Sequence, residues 1–577
     1  MTSDTTPPSK ASKRRTHSVH AVLLTLLTLL MAVPGIWNLP VIDRDEARFA
    51  VASVQMAESG DYVSIRFQDE ARNKKPVGSY WAQTGFIKAF SKDGERRIWA
   101  QRIPSVLAAI IAVLATYWAG VAMIGRRGAF VAGGLLAVSA LFVFEAHIAK
   151  TDALLCAMGA LVFMSFALLR QGGGRLYALV FWVALGLAVM IKGPVIPGVA
   201  GLTLITLAIW ERQNAWMRTL LFWPGPILFL LIILPWSIMI YQATEGQFFK
   251  DALVGDFGQK LVSGQEKHGA PPGAYLLSLP VAFWPSVLFL IPGFAFAIRA
   301  VRRGLENINP VVRAMRLALA WAIPYWIILE IIPTKLPNYL LPVYSAFAVM
   351  CAGAILTLFA VKEFKISRII SAVLIGLVST ALIAGILIGE AVYGPLPTWS
   401  FGFNFAALLA VVFSCVMLGM GRAKKAVIGV IAGGILLYPF LYAVLLPSLS
   451  ELRLADRVEA EFNQNNITLP RKGGPQVLAY NFTEPSLVYR LGSDIVLGDR
   501  IKLDTPLLID TVILTDSMKS ETDAFLQAVS ESGNCTAPIS TIKGHNYSKG
   551  NAVSLDLVQV IPCPLEPQGE PDTEPQN

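Results

Sequence analysis

Long apolar runs alternate with short polar connections over most of the chain. Each run has roughly 20 residues, the length that an α-helix needs to cross the hydrocarbon core of a bilayer. Glycine, proline and charged residues mark the ends of the runs. Thirteen spanning helices are predicted near residues 19–39, 100–123, 128–147, 153–170, 175–192, 195–210, 219–241, 274–299, 313–333, 339–361, 367–393, 402–421 and 425–447. The pattern therefore predicts a mainly α, multi-pass membrane protein.

Three stretches depart from this pattern. Residues 1–18 are polar and basic, which predicts a cytoplasmic tail before the membrane domain at 19–447. Residues 42–99 form a polar first outer loop, in which helical periodicity over 47–58 and 80–90 predicts two amphipathic helices at the membrane interface.

Residues 448–565 lack long apolar runs and predict a small α/β domain. Its elements are predicted as helices over 451–465 and 521–532 and strands over 476–480, 507–514 and 552–561. The Pro- and Glu-rich tail at 566–577 has the composition of a disordered segment.

Charge gives these parts an orientation. The mean hydropathy is +0.56, and the chain carries 48 Lys and Arg against 39 Asp and Glu. From residue 448 onward the net charge is −8, so the part before it carries +17. Every second connection holds clustered Lys or Arg, which predicts that those connections are cytoplasmic. With thirteen spans the N-terminus is then cytoplasmic and the C-terminal domain periplasmic. The basic residues indicate membrane lipids as partners, since no nucleic-acid-binding signature is present.

The cysteines divide in the same way. Cys156, Cys351 and Cys415 lie in apolar runs and are interpreted as inert packing residues. Cys535 and Cys563 are the two cysteines of the C-terminal domain. A disulfide between them would fit an oxidising compartment. Two buried free thiols are the alternative.

Ionisable residues near the span ends collect on the predicted outer side. Charges at membrane depth are costly and are functional candidates by default, although a lone lysine there is often a snorkelling residue. Two chemistries fit a mixed group of acids and bases. In one, a carboxylate activates an acceptor hydroxyl while bases hold a lipid phosphate. In the other, the same residues relay protons or ions in a transporter. The candidates are Asp43, Asp45, Glu46, Arg48, Lys74, Lys75, Asp152, Lys192, Lys260, His268 and Lys335.

At this point the sequence resembles a known family. The motif Asp45-Glu46-Ala47-Arg48-Phe49 is similar to the Asp-Glu-x-Arg-Tyr signature of membrane glycosyltransferases of the GT-C class. The branch it most resembles is the 4-amino-4-deoxy-L-arabinose transferases of lipid A modification; the protein O-mannosyltransferases are more distant. Further matches follow in order over residues 20–345: Lys75-Pro76, Ala149-Lys150-Thr151-Asp152, Lys192-Gly193-Pro194, Pro235-Trp236, Gln259-Lys260, Lys267-His268-Gly269-Ala270-Pro271 and the stretch from Thr334 to Pro342.

The resemblance implies roles for individual residues. Asp45 would be the catalytic base or its close partner, and Glu46 would orient the site or help to bind a metal. Asp152 would support the active site, and Arg48 would brace the acid. The residues implied for the lipid phosphate are Lys75, Lys260 and Tyr339, together with Arg48 and Lys335. Asp43, Lys192 and His268 are secondary candidates.

Two positions depart from the family pattern. Relatives often have Glu directly before the Lys-Pro pair, whereas this chain has Lys74. The metal that such a Glu would bind is therefore in doubt, and a divalent ion is the one cofactor left open. Relatives also often have Arg where Lys260 stands, and Lys keeps the charge without the bidentate geometry. The donor sugar and the acceptor can therefore differ from those of the relatives.

Together these features predict a GT-C fold and an inner-membrane glycosyltransferase. It would move aminoarabinose, or a related pentose or hexose, from a polyprenyl (undecaprenyl) phosphate donor to a periplasm-facing acceptor, for which lipid A is the first choice. Protein hydroxyls or another envelope glycan are the alternatives within this class. A lipid-linked sugar transporter or flippase is the alternative from another class.

Overall fold

In the computed structural model the chain is mainly helical. The structure describes residues 10–92, 95–211, 214–262, 269–303, 310–357, 364–393, 399–501 and 507–563. The chain divides into two compact units. The helical unit comprises Met1–Leu39 and Ala52–Leu449. The second unit comprises Pro40–Val51 and Ser450–Asn577, so it combines a short piece of the predicted first outer loop with the predicted C-terminal domain.

The helices follow the apolar pattern of the sequence. They are α1 (Lys10–Ala32), α2 (Asp45–Ser59), α3 (Gly78–Phe90), α4 (Ile98–Ala137), α5 (Ala140–Ala146), α6 (Asp152–Leu169), α7 (Arg175–Lys192), α8 (Val195–Trp210), α9 (Pro224–Thr244), α10 (Gln247–Phe249), α11 (Gln259–Val262), α12 (Ala274–Ala282), α13 (Leu290–Arg303), α14 (Pro310–Ile331), α15 (Tyr344–Thr357), α16 (Lys365–Tyr393), α17 (Ser400–Gly419), α18 (Ala423–Phe440), α19 (Leu446–Ser448), α20 (Leu454–Gln464), α21 (Pro485–Leu491) and α22 (Glu521–Glu531). Two π-helical segments, Lys250–Gly258 and Leu441–Leu445, precede α11 and α19. Turns of 3₁₀ helix lie at Ala215–Leu221, Ser286–Phe289, Pro337–Val343, Ser450–Leu452, Pro470–Lys472 and Gly498–Arg500.

Among the residues described, 9 helices are long and apolar enough to cross a membrane, or 10 if one bent pair counts as a span. The bent pair, Ala274–Ala282 with Ser286–Arg302, turns through 116°. Two shorter apolar helices are Thr16–Ala32 and Val195–Trp210. The structure thus confirms that the chain contains many apolar helices that could span a membrane. The number thirteen stays a prediction.

Several predicted span boundaries differ from the structure, and two of the differences have a clear cause in the backbone. The first helix ends at Ala32 and not near residue 39, because Pro34 and Gly35, with φ +88°, interrupt the helical backbone. The predicted pair 100–123 and 128–147 occupies α4 and α5, and α4 contains a non-helical break at Gly125 where φ is 78°. Only glycine adopts that backbone without strain, so the predicted turn is a sharp kink.

The first outer loop contains the two predicted helices, α2 and α3. A two-stranded hairpin that was not predicted, β1 (Arg66–Phe67) and β2 (Glu70–Ala71), lies between them in the chain. At the start of α3, a Cβ on Gly78 would lie 2.7 Å from the Met190 carbonyl oxygen of α7. The absence of a side chain at this position lets the loop backbone approach the end of α7 closely, and this approach brings Lys75 and Lys192 into the same region.

The second unit contains a mixed sheet of five strands in the order β4-β3-β5-β7-β6. The strands are β3 (Val477–Ala479), β4 (Val496–Leu497), β5 (Val512–Asp516), β6 (Cys535–Asn546) and β7 (Asn551–Ile561). Strand β3 pairs in parallel with β4 and β5, whereas β7 is antiparallel to β5 and β6. Its core packs α22 on the sheet through Phe525, Val529, Leu478, Ile513 and Val560. The small α/β architecture predicted for this part of the chain is therefore present.

The edge strand β6 was not predicted. Half of its residues are polar, and the pairing with β7 shifts register between Pro538 and Ser540. Proline and a bulge are typical of edge strands, and both weaken the alternating pattern that marks a strand in sequence. A disulfide joins Cys535, the first residue of this strand, to Cys563. The predicted disordered tail at 566–577 lies outside the described residues.

Candidate active site

A cavity of about 220 Å³ inside the helical unit collects most of the predicted lipid-phosphate residues. We call it the basic cavity. Its polar lining consists of Lys75, Asp152, Lys192, Asp256, Lys260, Tyr325, Asn338 and Tyr339. Most of the remaining lining is aliphatic, including Leu155, Val195, Leu202, Ile328, Leu329 and Ile332. A cavity with charges at one set of positions and aliphatic side chains at the others suits an amphiphile with an anionic head.

Separate elements deliver the cations of this cavity. Lys75 precedes α3 in the first outer loop, Lys192 is the last residue of α7, and Lys260 lies on α11. Asp256 belongs to the π-helical segment just before α11. The predicted convergence of outer-loop lysines is therefore a feature of the structure, built from residues that are far apart in the chain.

Lys75 and Lys260 share one carboxylate. Lys75 Nζ donates to Asp256 Oδ2, and Lys260 Nζ donates to Asp256 Oδ1 at 2.6 Å. Burial lowers the pKa of Lys75 to about 8, and the Asp256 carboxylate opposes that shift. Burial also disfavours the charged form of Asp256, yet the two ammonium groups keep its pKa below the ordinary value. Both lysines are thus held in place by a common anion.

A second ion-pair group surrounds Asp152, at the start of α6. Lys192 Nζ lies 2.5 Å from Asp152 Oδ1 and Lys150 Nζ lies 3.4 Å from Asp152 Oδ2. Lys150 also pairs with Glu145 at 2.9 Å, and the side chain of Asn338 hydrogen-bonds to Asp152. A carboxylate enclosed by two ammonium groups is a poor base, so this geometry gives Asp152 a positioning role for Lys192.

Tyr339 stands beside Lys192. The lysine Nζ lies 5.2 Å from the centroid of the Tyr339 ring, a distance at which the ring face attracts a cation. Within the cavity lining, three lysines face two aspartates, which leaves one positive charge in excess. Because these charges are mostly buried, an anion bound there would be screened little by salt.

Two of the predicted catalytic acids, Asp45 and Glu46, begin α2, and both belong to the second unit. We call residues 42–48 the acidic segment. Asp45 is the first residue of α2 and is exposed, whereas Glu46 is only 1% exposed. A Glu46 carboxylate oxygen accepts a hydrogen bond from the Ile42 backbone N–H at 2.8 Å. Glu46 therefore caps the turn that leads into the helix, and Asp45 is the acid that solvent or a substrate can reach.

The preceding residues are tied to the C-terminal part of the same unit. The Asp43 backbone N–H donates to the Tyr547 hydroxyl at 2.6 Å, and Asp43 Oδ1 accepts from the Ser486 N–H at 2.9 Å. Arg44, in the left-handed region with φ 66°, donates from Nη2 to the Ser548 carbonyl at 2.6 Å. Burial raises the pKa of Asp43 to about 6, against the opposing hydrogen bond from Ser486. Asp43 is thus an anchor for the acidic segment.

The other predicted residues are placed as follows. Lys335 is buried, and its Nζ donates to the backbone carbonyls of Leu329, Glu330 and Ile332 at 3.2, 3.0 and 2.5 Å. Leu329 and Glu330 lie in the last turn of α14 and Ile332 follows it, so Lys335 satisfies carbonyls at a helix C-terminus. Arg48 is half-buried on α2. His268 lies outside the described residues.

Sequence reasoning missed Asp256, Lys150 and Glu145 as site residues. Asp256 lies in a polar connection without a motif, and its role depends on a partner 181 residues away. Lys150 lies within the matched Asp152 motif and Glu145 shortly before it, so their closeness to Asp152 in the chain was the available signal. Within the described ranges, no group of three or more His, Cys, Asp or Glu residues could hold a metal ion.

Comparison with known proteins bears on this arrangement. The sequence profile of the family described as dolichyl-phosphate-mannose-protein mannosyltransferase matches residues 74–239. The undecaprenyl phosphate-α-4-amino-4-deoxy-L-arabinose arabinosyl transferase of Erwinia tasmaniensis is 27% identical over 53% of this chain and 54% of its own length. The enzyme of the same name from Edwardsiella ictaluri is 28% identical over 59% and 61%. The matched regions thus span between about half and two thirds of these curated relatives.

Solved structures show the fold. The crystal structure of ArnT from Cupriavidus metallidurans bound to undecaprenyl phosphate superposes with a TM-score of 0.69, covering 95% of this chain and 98% of that one at 17% identity. An oligosaccharyltransferase of Archaeoglobus fulgidus, tethered to an acceptor peptide, gives a TM-score of 0.51 over 95% and 74% at 11% identity. The chain therefore has the GT-C fold of ArnT, and the predicted resemblance to ArnT-like glycosyltransferases is confirmed.

Proposed function

We propose that this chain is a glycosyltransferase that takes a sugar from a polyprenyl phosphate and places it on lipid A. The basic cavity is the observation that carries the proposal. Its three lysines offer an excess positive charge next to an aliphatic wall, which matches a phosphate on an isoprenoid chain. The sugar is 4-amino-4-deoxy-L-arabinose or a related pentose or hexose, and the carrier is undecaprenyl phosphate, as in the names of the relatives.

The proposed reaction is a direct displacement with inversion. Asp45 takes the proton of the acceptor hydroxyl, whose oxygen forms the new bond to the anomeric carbon. The bond from that carbon to the phosphate oxygen breaks, and polyprenyl phosphate leaves with its electron pair. Lys75 and Lys260, with Lys192 and Tyr339, stabilise the charge that develops on the phosphate. Arg48 braces the acid in this scheme.

Three further acids have positioning roles in this scheme and do not contact the reacting atoms. Asp256 and Asp152 hold the lysines in position, and Glu46 fixes the turn before α2. A divalent ion at Glu46 is the alternative role that the resemblance implied for this residue, and its capping bond to Ile42 favours the structural role.

The proposed location is the bacterial inner membrane, with thirteen spans, a cytoplasmic N-terminus and a periplasmic C-terminal domain. Support comes from the alternation of Lys- and Arg-rich connections, which follows the positive-inside rule. The break at Gly125 and the two shorter apolar helices supply segments for spans beyond the nine. The disulfide Cys535–Cys563 supports an oxidising compartment for the second unit.

A second acceptor class has an observation in its favour. The family profile over residues 74–239 carries the name of a protein mannosyltransferase, so a protein hydroxyl is the alternative acceptor. Mass spectrometry of lipid A and of envelope proteins, from cells with and without the gene, distinguishes the two. A sugar that disappears from lipid A supports the proposal, and one that disappears from protein supports the alternative.

The donor site is tested by Lys75→Gln. Membranes carrying this variant should lose sugar transfer from polyprenyl-phosphate-linked aminoarabinose and should bind undecaprenyl phosphate weakly, because the buried ammonium is lost. Lys74→Gln removes an exposed neighbouring charge and is the matched control. Unchanged binding in Lys75→Gln would contradict the proposed phosphate site. Purified protein that moves the lipid-linked sugar between leaflets without releasing polyprenyl phosphate would instead identify a flippase.

A further inference from the structure

A second charged cavity lies at other helix ends of the helical unit. It measures about 350 Å³ and is separate from the basic cavity. Its lining comes from α4 just before the Gly125 break, from the residues that end α6, and from the first turns of α14. These residues are Ala122, Met123, Ala167, Arg170, Gln171, Pro310, Arg313, Ala314 and Leu317. None of them belongs to the proposed catalytic machinery.

Arg170 is the buried charged residue of this cavity. Its side chain is 4% exposed and forms an ion pair with Glu211 through Nη2. The other terminal nitrogen, Nη1, is buried and has no hydrogen-bond partner among the described residues. A buried guanidinium nitrogen without an acceptor is costly. Arg170 also lines the cavity, so its positive charge favours an anion there.

Arg313 adds a second guanidinium to the lining. Its Nη2 donates to the Arg170 carbonyl at 2.7 Å, which links the start of α14 to the end of α6. The charge of Arg316 also acts on Arg170. Arg313 and Arg316 thus add positive charge around Arg170, whose ion-pair partner is Glu211. The planar forks of Arg170 and Arg313 are suited to the oxygens of a phosphate group.

The surroundings favour a phosphate attached to a lipid. Ala122, Met123 and Leu317 give the cavity an apolar side next to its basic side, and they belong to helices long and apolar enough to span a membrane. The predicted topology places these helix ends at the cytoplasmic surface, where anionic headgroups are attracted by juxtamembrane basic residues. A free phosphate would use the arginines alone, whereas a phospholipid would also cover the apolar side.

We propose that this arginine cavity binds the phosphate headgroup of an anionic phospholipid from the cytoplasmic leaflet. The proposal does not rest on the sugar-transfer reaction. The ligand bridges the end of α6 and the start of α14, so it should stabilise the helical unit. Binding adds a lipid dependence to the protein that the donor and acceptor lipids do not explain.

The experiment measures binding of phosphatidylglycerol to the full-length chain in detergent, by native mass spectrometry and by the rise in unfolding temperature. Phosphatidylethanolamine and inorganic phosphate are the comparison probes. The wild type should retain and be stabilised by phosphatidylglycerol in preference to both. Arg313→Gln should weaken that binding by about tenfold or more, the loss typical of a charged hydrogen-bond partner. Arg127→Gln, an exposed arginine after the Gly125 break, is the matched control and should bind as the wild type does.

A second variant guards against a folding defect. Gln171 lines the cavity and is exposed, so Gln171→Trp should obstruct the cavity without disturbing the core. It should reduce phosphatidylglycerol binding while the unfolding temperature without lipid stays at the wild-type value. Equal stabilisation by inorganic phosphate would overturn the lipid assignment in favour of a free-anion site. Wild-type lipid binding in both Arg313→Gln and Gln171→Trp would overturn the site itself.

Discussion

The basic cavity and the acidic segment present their carboxylates in opposite ways. In the basic cavity, Asp256 lies between Lys75 and Lys260, and Asp152 lies between Lys192 and Lys150. Each of these carboxylates is enclosed by cations.

In the acidic segment, Asp45 is exposed at the first position of a helix. The residues on either side of it form the hydrogen bonds that fix the segment. Glu46 caps the turn, and Asp43 is held by Ser486 and Tyr547.

The difference in environment suits the two kinds of carboxylate to different tasks. A carboxylate that pairs with two ammonium groups has its charge neutralised and cannot readily accept a proton. Such a group can fix lysines for a phosphate. A carboxylate that is exposed on an anchored helix start can accept a proton from a bound acceptor. This contrast supports the proposal that Asp45 is the base and that Asp152 and Asp256 position lysines, and each prediction below tests one side of it.

The largest effect is expected for Asp45→Asn. Loss of a general base should lower kcat for sugar transfer by about 10²- to 10⁴-fold. Binding of undecaprenyl phosphate should be retained, because the cavity lysines are intact. The measurement is transfer from polyprenyl-phosphate-linked aminoarabinose in membranes, together with binding of the free carrier. Asp69→Asn alters another exposed acid of the first outer loop and should leave kcat unchanged. Normal turnover in Asp45→Asn would remove the catalytic assignment.

The second effect concerns the buried pair of Lys192 and Asp152. Lys192→Met should lower the free energy of unfolding by about 3 kcal/mol, the lower end for a broken buried pair, because Lys150 remains near Asp152. The double variant Lys192→Met with Asp152→Asn should recover most of that loss. Thermal unfolding in detergent measures both. If the double variant is as unstable as the sum of its single changes, the two residues do not act as a pair.

The third effect is on pH dependence. Because burial lowers the pKa of Lys75 to about 8, its ammonium should be lost above that pH, and the dissociation constant for undecaprenyl phosphate should rise by about tenfold per pH unit. The folded state binds fewer protons than the unfolded chain between about 8 and the usual 10.5. The free energy of unfolding therefore rises with pH in this window, so weaker binding would not reflect unfolding.

Lys75→Arg provides the control for this prediction. Arginine stays charged throughout this pH range, so binding by the variant should remain flat above pH 8. A wild-type profile that is equally flat would show that Lys75 does not titrate in contact with the phosphate. Equilibrium binding at a series of pH values is sufficient for the comparison.

The sequence predicted the helices well because the bilayer imposes a strict pattern on them. Runs of apolar residues must form helices in a membrane, so α6, α7 and α9 lie close to their predicted ranges. Boundaries at Pro34 and at the Gly125 kink were less accurate, since backbone geometry decides them locally. Strand β6 was missed because an edge strand with a bulge carries little alternation.

The site was predicted in part for a similar reason. Ordered motifs and topology indicated that Lys75, Lys192 and Lys260 would converge, and they line one cavity. Asp256 was missed because its importance comes only from tertiary pairing with Lys75. Lys335 lies in a matching motif that implied a phosphate contact. Its three hydrogen bonds go instead to carbonyls at the end of α14, a position that the motif does not reveal. Motifs indicate which residues matter, while partners depend on the fold.

The smallest effect is expected where the acidic segment is anchored. Tyr547→Phe removes the hydroxyl that accepts the Asp43 backbone N–H at 2.6 Å, which should cost about 1 kcal/mol of the stability of the second unit. Because Asp43 precedes Asp45 by two residues, a looser anchor should also lower kcat while binding of undecaprenyl phosphate stays unchanged. Tyr480→Phe is the matched control. Tyr480 stacks on Phe525 at 4.0 Å between ring centroids, and within the described residues its hydroxyl forms no hydrogen bond. Thermal unfolding and transfer kinetics of both variants test the anchor. A fall in kcat that Tyr480→Phe reproduces would mean that the second unit contributes general stability and does not position Asp45.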